Sequence, residues 1–196
     1  MTSSVYIHIP FCNSICSYCD FSKFFYNKKW INGYLTELEK EVKLRYKNDI
    51  INTIYIGGGT PSSLALDELS KLFEIIKMFR LSNNVEFTFE CNIENITKGK
   101  LKLLLKNGVN RLSIGVQTFN DKYLKYLNRH HTKEEVVNKI NMAKNIGFSN
   151  INIDLIYAIP GETKEELMED LDNFLSLNIL FRSIRFYLRF LKLRLS

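Results

Sequence analysis

What this 196-residue chain lacks narrows its class before any motif is considered. No run reaches the about 18 consecutive apolar residues that a membrane span needs. Strand-like residues begin by Ser4, leaving no room for a secretory or transit peptide, so the expected location is the cytoplasm. No low-complexity linker and no internal sequence repeat divide the chain, which suits one domain or a piece of a larger one. Cysteine is scarce, four residues in all, and three of them fall between positions 12 and 19. That clustering fits a reducing interior better than a disulfide framework. Acidic residues are missing from positions 179–196, which hold Arg182, Arg185, Arg189, Lys192 and Arg194. Setting these aside leaves 22 basic against 21 acidic groups, so the formal charge of +6 does not describe the body. A nearly neutral body does not support a broad phosphate-binding surface, and no nucleic-acid partner is expected. With 45% hydrophobic and 13% aromatic residues, the chain can bury a sizeable core.

The apolar pattern alternates between two periods. Residues 5–9, 50–56, 85–89, 111–117 and 151–156 read as strands, and residues 30–47, 64–79, 97–105, 122–127, 133–145 and 164–177 as helices. Five strand–helix units in strict alternation predict a parallel sheet with right-handed crossovers. Each strand has one apolar face, carrying Val5, Ile7 and Ile9; Ile54 and Ile56; Val85, Phe87 and Phe89; Leu112, Ile114 and Val116; and Ile151, Ile153 and Leu155. The opposite faces hold Tyr6 and His8, Tyr55, Glu86, Thr88 and Glu90, Arg111, Ser113 and Gln117, and Asn152 and Asp154. A sheet covered by helices on both sides would read as nearly continuous apolar runs. Buried polar groups without partners are costly, so the polar face is expected to line a cavity holding a polar ligand. A barrel or open barrel with its helices outside and its site at the carboxyl ends of the strands meets that demand.

Cys12, Cys16 and Cys19 form a C-x3-C-x2-C array directly after the first strand. Thiolates so spaced on one loop can wrap a single metal centre. Clusters of the [4Fe–4S] type are usually held by four cysteines, and three would leave one iron open to an outside ligand. A zinc site would want a fourth Cys or His, for which His8 on the preceding strand is a conceivable donor. At the end of the second strand, Gly57-Gly58-Gly59-Thr60-Pro61 is expected to expose backbone N–H and C=O groups to a small polar ligand. Glu90, Gln117 and Asp154 lie on the polar face, where together they could hydrogen-bond hydroxyls, base edges and an ammonium group. Arg129 could pair with a carboxylate. Taken singly, each of these also reads as an ordinary structural polar residue.

The string Tyr-Ile-His-Ile-Pro-Phe-Cys-x3-Cys-x-Tyr-Cys-Asp-Phe resembles the signature of radical S-adenosylmethionine (SAM) proteins. Within them it looks like the group containing oxygen-independent coproporphyrinogen III oxidase and the heme chaperone HemW, over residues 5 to about 178. The resemblance implies an α/β fold, a partial (β/α)6 barrel with about five βα units present. It implies a [4Fe–4S] cluster on Cys12, Cys16 and Cys19, with SAM chelated to the open iron. Carried over by motif, the SAM contacts are Tyr6, Gly58, Gly59, Thr60, Glu90, Gln117, Arg129 and Asp154. Two departures concern the backbone: Ile93 follows Asn92 where proline is common, and Asn128 stands where glycine is usual. His130 and His131 read as loop residues, with heme ligation as an alternative, and Cys91 reads as a small buried hydrophobe. Tyr18 is expected to pack over the cluster, and the aromatic stretch 21–26 to cover it or to join the core.

Coproporphyrinogen oxidases resemble C-x3-C-x2-C-x-C, and here the last position is Phe21. The Cys-Asp-Phe ending looks like the HemW side, whose members bind heme and pass it to acceptor proteins. The first expectation is therefore a heme chaperone with heme or porphyrin, a heme acceptor and an electron donor as partners. The second is a coproporphyrinogen oxidase, in which a SAM-derived radical abstracts hydrogen from the substrate. Residues 179–196 break the pattern before a sixth strand and the carboxyl-terminal domain implied by the resemblance, which suggests a frameshift or truncation, an inactive fragment, or a basic helix lying on a membrane surface or completing the open edge of the barrel.

Overall fold

The computed structural model describes residues 3–179 and 185–186. In chain order the elements are β1 (Ser3–Ile9), β2 (Phe11–Cys12), β3 (Phe24–Phe25), α1 (Lys28–Arg45), β4 (Ile50–Gly58), α2 (Leu66–Ile76) and β5 (Arg80–Asn92). There follow α3 (Lys98–Lys106), β6 (Arg111–Gln117), α4 (Asp121–Tyr126), α5 (Lys133–Ile146), β7 (Asn150–Leu155), α6 (Lys164–Ser176) and β8 (Arg185–Phe186). Short 3-10 turns cover Pro61–Ser63 and Ile93–Asn95.

Local chemistry sets the helix boundaries. Asn27 caps α1 by accepting from the Lys29 and Trp30 N–H groups, and Ile31, Leu35 and Val42 then face the sheet on one stripe. Thr132 with Glu135, and Thr163 with Glu166, form capping boxes that start α5 and α6. Gly147, at φ 123, stops α5 in a conformation that a β-carbon disfavours.

One parallel sheet runs in the order β1-β4-β5-β6-β7-β8, and β2 pairs with β3 beside it. The α/β class, the parallel order and the five βα units agree with the sequence reading. The apolar strand faces are buried almost completely, from Ile7 and Ile9 through Phe87 and Phe89 to Ile151 and Ile153. Several boundaries differ. The helix expected over residues 64–79 follows a 3-10 turn at Pro61–Ser63 and is α2 only from Leu66 to Ile76. β5 begins at Arg80, where Arg80 and Leu81 pair with Ile50 and Ile51 although residues 80–84 show no alternation.

The expected break before a sixth strand is corrected at two residues, because the backbone of Arg185–Phe186 pairs in parallel with Asp154 and Leu155. Arg185 is therefore in a strand and not on a helical basic stripe. Positions 180–184 and 187–196, where the rest of that expectation falls, lie outside the described residues. No helix among the described residues is long and apolar enough to cross a membrane.

Candidate SAM and cluster site

At the carboxyl ends of the strands a cleft of about 530 Å³ opens on the polar side of the sheet. Its walls collect all three clustered cysteines, together with Tyr6, Gly58, Gly59, Thr60, Glu90, Gln117, Arg129 and Asp154. Every residue expected to hold the cluster or to contact SAM thus borders one space. Residues not anticipated there include Asp20, Lys23, Cys91 and Asn92.

The cysteine loop leaves β1 at Pro10 and is held from several sides. Gly59 N–H donates to Ile9 O and Thr60 N–H to Phe11 O, both at 2.9 Å. Ser63 Oγ donates to Phe11 O at 3.1 Å, and Tyr26 N–H to Cys12 O at 2.8 Å. The glycines are needed for this approach. A β-carbon on Gly59 would lie 2.8 Å from the Pro10 carbonyl carbon, and one on Gly58 would lie 2.6 Å from the His8 ring. Gly58 also adopts φ +113, outside the range that suits other residues. The expectation that this segment exposes free N–H groups is corrected here. Gly58 N–H is taken by Glu90 at 3.1 Å, and the next two N–H groups hold the cysteine loop. These three N–H groups are therefore not available to a ligand.

The thiols are free, with Cys12 buried and Cys16 and Cys19 half-buried. Thr60 Oγ1 donates to Cys12 Sγ at 3.3 Å while accepting from Asn92 Nδ2 at 3.1 Å. Burial pushes the Cys12 thiol up against that hydrogen bond, and Cys19 and Cys16 nearby push the same way. Among the described residues no three His, Cys, Asp or Glu side chains converge on a point that would hold a single metal ion. The zinc alternative therefore fits poorly: His8 faces Tyr6 Oη through Nδ1 at 3.1 Å and Ser22 O through Nε2 at 3.0 Å. Cys12, Cys16 and Cys19 are three free thiols on one loop, the donor set that a [4Fe–4S] cluster with one open iron would use.

Around the thiols stand polar groups already oriented. Tyr55 Oη donates to Glu90 Oε1 at 2.5 Å, and Asn152 Nδ2 to Asp154 Oδ1 at 3.0 Å. Gln117 adopts φ 76, unusual for a residue with a β-carbon, at a register shift between β6 and β7. Its side chain folds back so closely that a β-carbon on Gly115 would meet Gln117 Nε2 at 2.7 Å.

Arg129 is 5% exposed, and its Nη2 donates to Gly115 O at 2.9 Å and to Glu94 Oε2 at 3.2 Å. Its Nε is buried with no hydrogen-bond partner among the described residues, which leaves one donor of the guanidinium unsatisfied.

Several side chains depart from the sequence reading. His130 and His131 lie in a loop as expected, but His131 is only 4% exposed, with Nδ1 on Glu94 Oε1 at 3.0 Å. Phe21, Phe24 and Phe25 are exposed and Phe21 borders the cleft, while Tyr26 alone of the aromatic stretch packs against the core. Tyr18 lines the cleft and packs against a small cluster of Tyr123, Leu127 and Ile159. Cys91 is buried as expected, and burial pushes its thiol up to about 12.

Comparison with known proteins places this geometry. The radical SAM superfamily profile matches residues 6–174. The heme chaperone HemW of Bacillus subtilis (strain 168) is 42% identical over 180 residues, 89% of this chain and 48% of the relative. The oxygen-independent coproporphyrinogen III oxidase of Salmonella typhimurium is 33% identical over 180 residues, 89% of this chain and 39% of the relative. In structure, the coproporphyrinogen III oxidase HemN of Escherichia coli, described as a radical SAM enzyme, superposes with a TM-score of 0.86 at 33% identity, covering 94% of this chain and 44% of that one. The chain spans about half the length of the curated relatives it matches. The chain belongs to the radical SAM superfamily and is similar to HemW and coproporphyrinogen oxidase-like proteins within it.

Proposed function

We propose that this chain is a radical SAM core that holds a [4Fe–4S] cluster on Cys12, Cys16 and Cys19 and SAM in the adjoining cleft, and that it serves heme binding and transfer. The observation that carries this reading is that one cleft collects the three free thiols and all eight residues expected to contact SAM. A cluster bound there supplies one-electron chemistry and an iron with an open position. The chain's own groups do the rest. Carbonyls at the end of β4, beside the Glu90 carboxylate, receive the ammonium of SAM, and Arg129 receives its carboxylate. Asp154 and Gln117 orient ribose hydroxyls and the adenine edge. Tyr6 closes the outer side of the cleft, where its ring stands 6.0 Å from that of Tyr55.

Phe21 stands where the oxidases are expected to carry a further cysteine, and the heme chaperone HemW of Bacillus subtilis is among the more similar relatives. Both favour heme transfer, with a heme acceptor and an electron-donor protein as partners in the cytoplasm. A second reading, coproporphyrinogen III oxidation, is favoured by the superposition on the Escherichia coli enzyme.

Anaerobic reconstitution with iron and sulfide, followed by EPR of the reduced protein with and without SAM, tests the core of the proposal. A [4Fe–4S] signal that changes on adding SAM is expected, and absence of a cluster would refute it. Heme titration against porphyrinogen turnover then separates the two readings: a saturable shift of the Soret band without turnover is the chaperone's outcome.

A further inference from the structure

Glu94 belongs to none of the motifs expected to contact cluster or SAM, yet three donors converge on it. Its Oε2 accepts from Arg129 Nη2 at 3.2 Å, and its Oε1 accepts from His130 N–H at 3.2 Å and faces His131 Nδ1 at 3.0 Å. The side chains of Arg129 and His131 are 2% and 1% exposed. Burial alone would raise the Glu94 carboxyl, but the His131 hydrogen bond and the Arg129 charge hold it down at about 2.

A guanidinium is a rigid planar fork, so fixing one nitrogen in two directions fixes where the others point. Arg129 Nη2 is fixed in this way, by Glu94 from the 3-10 turn after β5 and by Gly115 O from β6. The consequence is that Nη1 reaches Cys16 Sγ at 3.5 Å. A buried arginine without a carboxylate opposite would leave an uncompensated charge and no reason to keep that orientation.

We propose that Glu94, with its second oxygen locked by His131, is a positioning residue that holds the Arg129 guanidinium against the Cys16 sulfur and thereby sets the reduction potential of a cluster bound there. The inference rests on the cluster reading above. Hydrogen bonds and positive charge at ligand sulfurs stabilise the more negative, reduced cluster, so the contact raises the midpoint potential.

The test uses the full chain, reconstituted anaerobically, as wild type and as Glu94→Gln, Glu94→Ala, Arg129→Gln and the Glu94→Gln/Arg129→Gln pair. Iron content and an EPR-monitored redox titration are read on each. The expected result is wild-type iron in the Glu94 variants with a midpoint potential lowered toward that of Arg129→Gln, and a double variant no lower than Arg129→Gln alone. An unmoved potential in loaded Glu94→Gln, or an additive fall in the double variant, would overturn the proposal. So would loss of iron in both Glu94 variants, which would mark Glu94 as a support of the ligand loop itself. Should Glu94→Ala fail to accumulate, the near-isosteric Glu94→Gln decides. A wild type that assembles no cluster sinks the functional reading and this inference together, whereas a loaded wild type with an unmoved variant sinks only the inference.

Discussion

The side-chain amide of Asn128 donates to the Ile15 carbonyl at 2.7 Å, fastening the turn after α4 to the middle of the cysteine loop. Ser17 adds two bonds to the same turn, from N–H to Leu127 O at 3.3 Å and from Oγ to Tyr126 O at 3.1 Å. Asn128 also sits at φ 57, a left-handed conformation that asparagine tolerates better than most residues. It meets the backbone demand of the glycine expected at this position and adds a tether that glycine lacks.

Two substitutions separate these roles. Asn128→Gly keeps the backbone and loses the tether, so it is expected to cost about 1 kcal/mol. Asn128→Ala loses the tether and strains the backbone, adding about 1–2 kcal/mol. Chemical denaturation of the cluster-free chain reads both, and equal midpoints for the two variants would contradict the role of the φ angle.

The glycine strand end makes a sharper demand. Gly58→Ala and Gly59→Ala each place a β-carbon closer than 3.0 Å to existing atoms, and each is expected to cost about 1–3 kcal/mol or more. The two differ in what they strike, a side-chain ring for Gly58 and backbone for Gly59. A second change, His8→Ala, should therefore restore part of the stability of Gly58→Ala and none of that of Gly59→Ala. Equal rescue of both would show the clashes to be misassigned.

Acid should weaken the fold through Glu94. Its carboxyl is held at about 2 against an ordinary 4.5, so its contribution is complete above pH 4.5 and is lost as pH falls through 2. The size is on the order of 3 kcal/mol, because each pH unit by which folding lowers a titration midpoint is worth about 1.4 kcal/mol. Denaturation at pH 6 and pH 3 should show the stability difference between wild type and Glu94→Gln shrinking at the lower pH. A constant difference would argue against the ion pair as its source.

Cys12→Ala, Cys16→Ala and Cys19→Ala are each expected to abolish cluster assembly, while Cys91→Ala, outside the loop, keeps it. Iron and sulfide analysis after reconstitution decides, and a full cluster in any loop variant would remove that cysteine from the ligand set. Asp154→Ala should weaken the SAM-induced EPR change while retaining iron. Loss of both would make Asp154 structural.

The parts of the fold legible in the sequence are those with a local period. Alternation along Ile7 and Ile9, or Phe87 and Phe89, translates directly into burial, and of their polar neighbours Tyr6 and Glu90 line the cleft while His8 and Thr88 do not. The hub around Glu94 is not legible, because Glu94, Gly115 and Arg129 come from three separate stretches that only the folded sheet brings together. The same holds for the N–H groups of Gly58, Gly59 and Thr60, whose partners at Glu90, Ile9 and Phe11 arrive from other strands. Gln117 reads as a normal strand end, and its φ of 76 comes from the register shift against β7, which depends on the neighbouring strand.

The cysteine loop takes much of its shape from residues far along the chain: Thr60 beside Cys12, and Ser63 beside Phe11, lie about fifty positions downstream. During synthesis the thiols therefore emerge well before the strand that organises them. Until the crossover from β1 through α1 to β4 has closed, they are exposed to oxidants and stray metals in the surrounding fluid. Metallation of this loop belongs after that closure, once Thr60 and Ser63 are in place to hold it.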